Sequence, residues 1–165
     1  MEWFRFVMVW LALFAALICS LAPAARANDK QTISHLEHKL AVQTDPNQVM
    51  KFWSSRDDVV LFDVMGPPRE FVGQKALRDH LKDFAGFKNV KVDFLELKVV
   101  SDGELALASS VQHYTAKDGD GKPIDVTFRQ TDLWRNTNGQ WKLIHSHASY
   151  PVDMKTGKAD MRSKM

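Results

Sequence analysis

Ile124-Asp125-Val126-Thr127-Phe128-Arg129-Gln130-Thr131-Asp132-Leu133-Trp134-Arg135 and Gln140-Trp141-Lys142-Leu143-Ile144-His145-Ser146-His147-Ala148-Ser149-Tyr150 stand on either side of Asn138-Gly139. Both runs are rich in β-branched and aromatic residues. Asn-Gly is the residue pair that most readily supplies the two positive-φ positions of a tight hairpin, so the runs are expected to be neighbouring antiparallel strands. Along the second, Trp141, Leu143, His145 and His147 share a face by period 2 unless a bulge intervenes; along the first, Arg129 and Thr131 share one face and Phe128, Gln130, Asp132 and Trp134 the other. Each face carries apolar bulk and polar heads together, so alternation alone does not say which face meets the core.

Working outward, Val90 to Val100 and Leu105 to Ala116 are two more β-rich runs, divided by Ser101-Asp102-Gly103 and followed by Asp118-Gly119-Asp120-Gly121-Lys122-Pro123. Upstream, Ile33, Leu36, Leu40 and Ala41 recur at helical spacing, and Asp45-Pro46 places a capping carboxylate before a proline to open a short second helix. Val59-Val60-Leu61-Phe62 reads as a first strand ended at Gly66-Pro67-Pro68. A third helix is expected from about Gly73 to Ala85, with Ala76, Leu77, His80, Leu81 and Phe84 on one face. Helices followed by a meander of long strands make an α+β domain, a curved sheet with helices over one face.

The chain has 165 residues, 45% hydrophobic and 25% charged, with a formal net charge of +2. Near-neutral balance removes the electrostatic footprint that a phosphate backbone requires, so no nucleic-acid partner is expected. Residues 1–27 form an apolar run ending in Ala25-Arg26-Ala27, the pattern of a signal peptide cleaved near Ala27; an uncleaved anchor and, through Cys19, a lipoprotein are the alternatives. The expected organisation is a signal peptide at 1–27, one domain at 28–153 and a disordered polar tail at 154–165, in a periplasmic or secreted protein with no stable membrane span after cleavage. Cys19 is the only cysteine, so the remaining chain has neither a disulfide nor a thiol nucleophile.

The stretches Asp125 to Trp134 and Gly139 to Pro151, with Arg129-x-Thr131 and Trp141-x-x-x-His145-x-His147-x-Ser149-x-Pro151, resemble SnoaL-like domains, and the helix start at Gly73 to Leu81 fits as well. These domains belong to the superfamily of ketosteroid isomerase, polyketide cyclases, nuclear transport factor two and the kinase association domain. The resemblance implies a cone-shaped antiparallel sheet wrapped around N-terminal helices, a pocket between helices and sheet, and frequent homodimers through the outer sheet face. It implies no single reaction.

Asp63 stands within a residue of where ketosteroid isomerases place their proton-shuttling aspartate, which makes it the candidate general base; it can equally cap the turn at Gly66-Pro67. Arg129, His145 and His147 are brought within reach of one another by the hairpin and could clasp an anion, with His145 as a second catalytic candidate. An internal pair of Arg129 with Asp63 or Asp132 is the alternative. Trp53, His113 and Tyr150 complete the expected ligand-binding set. No metal or cofactor is expected: His145 and His147 lack a third ligand at fixed spacing, and Asp118-Gly119-Asp120-Gly121 lacks the glutamate of a calcium loop. The functions in view are cofactor-free proton-transfer chemistry of isomerase, cyclase or lyase type, a binding module for a small carboxylate or apolar metabolite, and a homodimeric accessory domain whose outer face includes Phe128 and Trp134.

Overall fold

The computed structural model describes residues 28–65 and 69–162. The expected signal peptide with Cys19, the turn at Gly66-Pro67-Pro68 and the last three residues lie outside them.

Helix α1 spans 28–41 and buries Ile33 and Glu37 on the face that also carries Leu36 and Leu40. Helix α2, Pro46–Val49, opens as the sequence suggests: Asp45 accepts a hydrogen bond from Asn47 N at 2.8 Å, and Pro46 lies in the first turn. Helix α3, Gly73–Leu81, closes in a 3-10 turn at Lys82–Phe84.

The strands are β1 (Val60–Phe62), β2 (Phe71–Val72), β3 (Lys88–Ser101), β4 (Leu105–Lys117), β5 (Pro123–Thr137) and β6 (Gln140–Ser149). They form one curved, unclosed sheet in the order β2-β1-β6-β5-β4-β3, antiparallel throughout except for β1 beside β6. Asn138 at φ 53° and Gly139 at φ 82° make the β5–β6 hairpin.

The decisive irregularity lies in β6. Leu133 pairs with His145 but Trp134 pairs with Leu143, so Ile144 is an extra residue. The bulge marks where the strand changes partners. Leu143 exchanges hydrogen bonds with the 52–54 segment (Leu143 N to Phe52 O, Ser54 N to Leu143 O, both 2.8 Å), whereas His145, Ser146 and His147 pair with β1. Alternation resumes on the opposite parity. Trp141 and Leu143 point inward, then Ser146 and Ala148 do, and His145 and His147 turn to the convex face. The expectation that Trp141, Leu143, His145 and His147 share one face is corrected accordingly.

Inside, Ile33, Trp53, Val59, Leu77, Trp134 and Leu143 form a core, with Ala106 and Ala108 as small residues on the inner face of β4. Trp134 is fully buried and its indole donates to Glu37 Oε1 at 2.6 Å, tying α1 to β5. Trp134 and Phe128 therefore belong to the concave side, not to the outer face where a dimer contact was expected of them. The outer face carries instead one continuous row, Val100, Leu107, Leu133, His145, Val60 and Val72, each opposite the next across all six strands.

The tail expected to be disordered folds back as far as it is described. Val152 bridges to Ala159, Asp160 N donates to Pro151 O at 2.7 Å, and Thr127 N donates to Met161 O at 2.8 Å, which occupies a stretch of β5 that β6 does not reach.

Candidate functional site

Between the concave face and the helices lies a cavity of about 470 Å³. Its walls are mostly hydrocarbon and aromatic, among them Leu40, Trp53, Leu81, Phe84, Val126 and Phe128; Met161 from the returning tail is at its edge. Polar groups enter at three places. Gln112, Tyr114, Gln130 and Ser146 line the sheet side, Gln43 and Thr44 follow the end of α1, and Asp63 lies with Tyr150. Asp63 is the one carboxylate among the described lining residues, and no lysine, arginine or histidine is among them.

Asp63 follows β1 directly, where the last strand residue Phe62 points to the convex face and the next side chain points in. Met65 N donates to Asp63 Oδ1 at 3.0 Å, a local turn bond, so the turn-capping role is present. It is not the carboxylate's only partner. His80 Nε2 lies 3.0 Å from Oδ2, and its ring is nearly buried, stacked on Phe71 at a centroid distance of 4.0 Å and edge-on to Phe84 at 5.3 Å. His80 Nδ1 is 3.7 Å from the exposed Asp83 carboxylate. The imidazole thus holds the carboxylate from behind while Asp63 faces the cavity. Tyr150 is kept protonated by partial burial and by the charge of Asp63, and burial pushes Tyr114 up to about 12. Both phenols are O–H donors at neutral pH.

Beneath Gln130 and Ser146 lies a second acidic pair. Gln130 Nε2 donates to Asp132 Oδ2 at 2.6 Å, while Asp132 Oδ1 has no hydrogen-bond partner among the described residues, and Gln112 links Ser110 (2.9 Å) with Gln130 (3.4 Å). Asp132 is completely buried against Glu37. Burial, then the charge of Asp132, raises Glu37 to about 9; burial also raises Asp132, opposed by the polar groups of Ser146, Glu37 and Gln130 around it. Two carboxyls so close in a dry interior cannot both ionise, so the pair retains a proton at neutral pH.

The anion clasp expected of Arg129, His145 and His147 is not assembled at the cavity. Arg129 is exposed on the convex face between Val111 and Ser149, and His145 and His147 lie against Phe62 there, at ring distances of 6.1 and 5.4 Å. His113 is on the same face, 2.8 Å from Asp125 and 3.8 Å from Asp93. An Arg129 pair with Asp63 or Asp132 is ruled out by the opposite orientations. Trp53 and Tyr150 do reach the cavity. Asp118 spends its carboxylate on the β4–β5 hairpin, accepting from Asp120 N and Lys122 N at 3.0 and 2.8 Å.

Sequence reasoning missed His80, Glu37 and Asp132 as site residues. Each carried a visible signal, a titratable side chain on an otherwise apolar face: His80 among Leu77, Leu81 and Phe84, Glu37 among Ile33, Leu36 and Leu40, and Asp132 in phase with Phe128 and Trp134.

The model of the SnoaL-like domain family matches residues 32–153. The chain belongs to the SnoaL-like family. Among solved structures it is similar to an NTF2-like protein of unknown function from Pseudomonas putida KT2440, at 27% identity and a TM-score of 0.68, over 84% of this chain and 98% of that one. A candidate dehydratase of the NTF2-like family from Streptomyces avermitilis superposes with a TM-score of 0.66 at 18% identity, over 77% and 99% of the two chains. The association domain of CaMKII from C. elegans gives 0.59 at 16%, over 75% and 97%. The last two likenesses establish the cone fold and no chemistry. A comparison with curated proteins returns no match.

Proposed function

We propose that this SnoaL-like chain takes an uncharged, largely apolar carbonyl compound into its cavity and moves a proton on it without a cofactor. One observation carries the reading: the only carboxylate among the described lining residues, Asp63, faces an apolar chamber with a buried histidine behind it. Asp63 takes the proton from the carbon beside the carbonyl. The C–H pair becomes the enolate double bond, the carbonyl pair moves to oxygen, and Asp63 returns the proton to the same or a conjugated carbon. Tyr114 supplies an O–H donor for the oxygen, and the proton held by Glu37 and Asp132 lowers the negative charge beneath it. His80 is a positioning residue. A carboxylate ligand is disfavoured, because the described lining offers no cation to offset Asp63.

The test is deuterium exchange at the acidic carbons of a panel of apolar ketones in D₂O. Asp63→Asn is expected to lower catalysed exchange by about 100-fold or more while leaving ketone binding and the melting temperature close to those of the parent. Exchange that survives the substitution removes Asp63 as the base; ketone binding without exchange in the parent leaves a binding module.

Export belongs to the same proposal, since the apolar 1–27 segment with Ala25-Arg26-Ala27 has the form of a cleaved leader. Among the described residues no helix is long and apolar enough to cross a membrane. Mass spectrometry of the protein recovered from periplasm or medium is expected to find Asn28 at the N-terminus, and an intact Met1-to-Ala27 segment on all of the protein would contradict cleavage.

A further inference from the structure

On the far side of Trp53 from the cavity a second groove, about 610 Å³, runs between residues 50–56 and the β5–β6 hairpin. Its titratable lining is cationic: Lys51 and Arg56 on one wall, Arg135 and Lys142 on the other, with no acidic residue among the described lining. The nearest carboxylates are accounted for. Asp58 lies 3.2 Å from Arg56 and 3.7 Å from Arg135, and Asp57 accepts from Gln74 N at 3.4 Å. Lys142 Nζ donates to Lys51 O at 2.7 Å, which holds its ammonium across the groove and leaves it two further hydrogens to donate. Asn138 and Gln140 from the hairpin add neutral polar groups, and Ile144, the bulge residue, contributes an apolar surface.

We propose that this groove binds a small phosphate monoester, its phosphoryl group between the guanidinium of Arg135 and the ammonium of Lys142 and its organic part against Ile144. Charge decides the class. Four cations against the carboxylates of Asp57 and Asp58 leave an excess of about two positive charges that a single carboxylate ligand would not match, whereas a phosphate monoester brings about −1.5 to −2 at pH 7 and three acceptor oxygens. The planar fork of Arg135 and the rotatable donors of Lys142 approach a tetrahedral group from different sides. No cationic residue of this groove lines the other cavity, so phosphate binding here does not depend on proton transfer there. Trp53 alone is common to both linings.

Phenyl phosphate titrated into the purified protein by calorimetry at low salt is the test, with benzoate as the monoanionic control and inorganic pyrophosphate as a probe without an aromatic part. Saturable binding of phenyl phosphate at one site per chain is expected, weakened by added salt and at least about tenfold tighter than benzoate. The double substitution Arg135→Gln and Lys142→Gln is expected to weaken it about tenfold or more, and Lys117→Gln at the far end of β4 to leave it unchanged. Should the double variant melt early, Lys51→Gln with Arg56→Gln, both exposed, repeats the test on the other wall. A second reading is the Trp53 indole resonance, which is expected to shift with phenyl phosphate. No saturation by phenyl phosphate, equal affinity for benzoate, or undiminished binding in the groove variants overturns the proposal. So does adsorption to phosphatidic acid vesicles without binding of free phenyl phosphate, which would assign the cations to a membrane surface.

Discussion

Glu37 shows how far one buried group can carry. It sits on the core face of α1, bonded to the Trp134 indole and crowded by Asp132, and it is held up near pH 9 where an exposed glutamate ionises near 4.5. Its folded-state pKa is raised, so the native state binds the extra proton across that window and the unfolded chain does not. Stability from this proton is complete below about pH 4.5 and is lost as pH rises toward about 9. Thermal melts between pH 6 and 9.5 are therefore expected to show the protein weakening with alkalinity, by a difference on the order of a few kcal/mol. Glu37→Gln retains the shape and most of the hydrogen bonding without the titration. It is expected to flatten that slope, and a parent whose melting temperature does not move between these limits would show that Glu37 and Asp132 hold no shared proton. Asp79, by contrast, is lowered to about 2 by Lys75 and Lys82, but all three lie in solvent and little stability follows from them.

At the scale of elements, what could be read beforehand was whatever local chemistry decides. Asp45-Pro46 opens a helix and Asn138-Gly139 turns a hairpin because their backbone preferences act within a few residues, and the SnoaL-like ending followed from the same stretch. What could not be read was the facing of the last strand. One extra residue, Ile144, reverses the parity of everything after it, and the cause is remote in sequence: Leu143 is paired with residues 52 and 54, and His145 with Val60. Period 2 counted straight through the bulge therefore drew His145 and His147 inward and, with them, the imagined clasp around Arg129. Asp63 was singled out through the resemblance to ketosteroid isomerases, and its place at the end of β1 puts it on the cavity wall. Its partner His80 was not, since the pairing joins a strand end to a helix 17 residues on and had only the odd presence of a histidine on an apolar stripe to announce it. The two-residue β2 is legible nowhere in the composition; it exists because Val60 and Leu61 offer an edge to Val72 and Phe71.

For the whole molecule, the unhelixed side of the sheet decides what assembly is open to it. Val72, Val100 and Leu107 are 50%, 65% and 44% exposed, and they lie in the one row, apolar but for His145, that crosses all six strands. Strands β3 to β6, spaced ~4.8 Å apart and about ten residues long at ~3.3 Å each, present on the order of 600 Å² in projection, enough to approach the ~800 Å² per partner of a specific interface. We expect two copies to join across this row. A two-fold axis would bring each Leu107 against the partner's copy of the same row, so Leu107→Glu introduces two desolvated charges per dimer and removes leucine burial worth about 1.5–3 kcal/mol at each site. Light scattering at roughly 10 µM is expected to give a dimer for the parent and a monomer for Leu107→Glu, a change of about 100-fold or more in dissociation constant. Arg129→Ala, two rows away between Val111 and Ser149, is expected to change it little. A parent that scatters as a monomer across a hundredfold range of concentration would leave the row as exposed surface, while a Leu107→Glu chain that remains dimeric would place the interface on some other face of the cone.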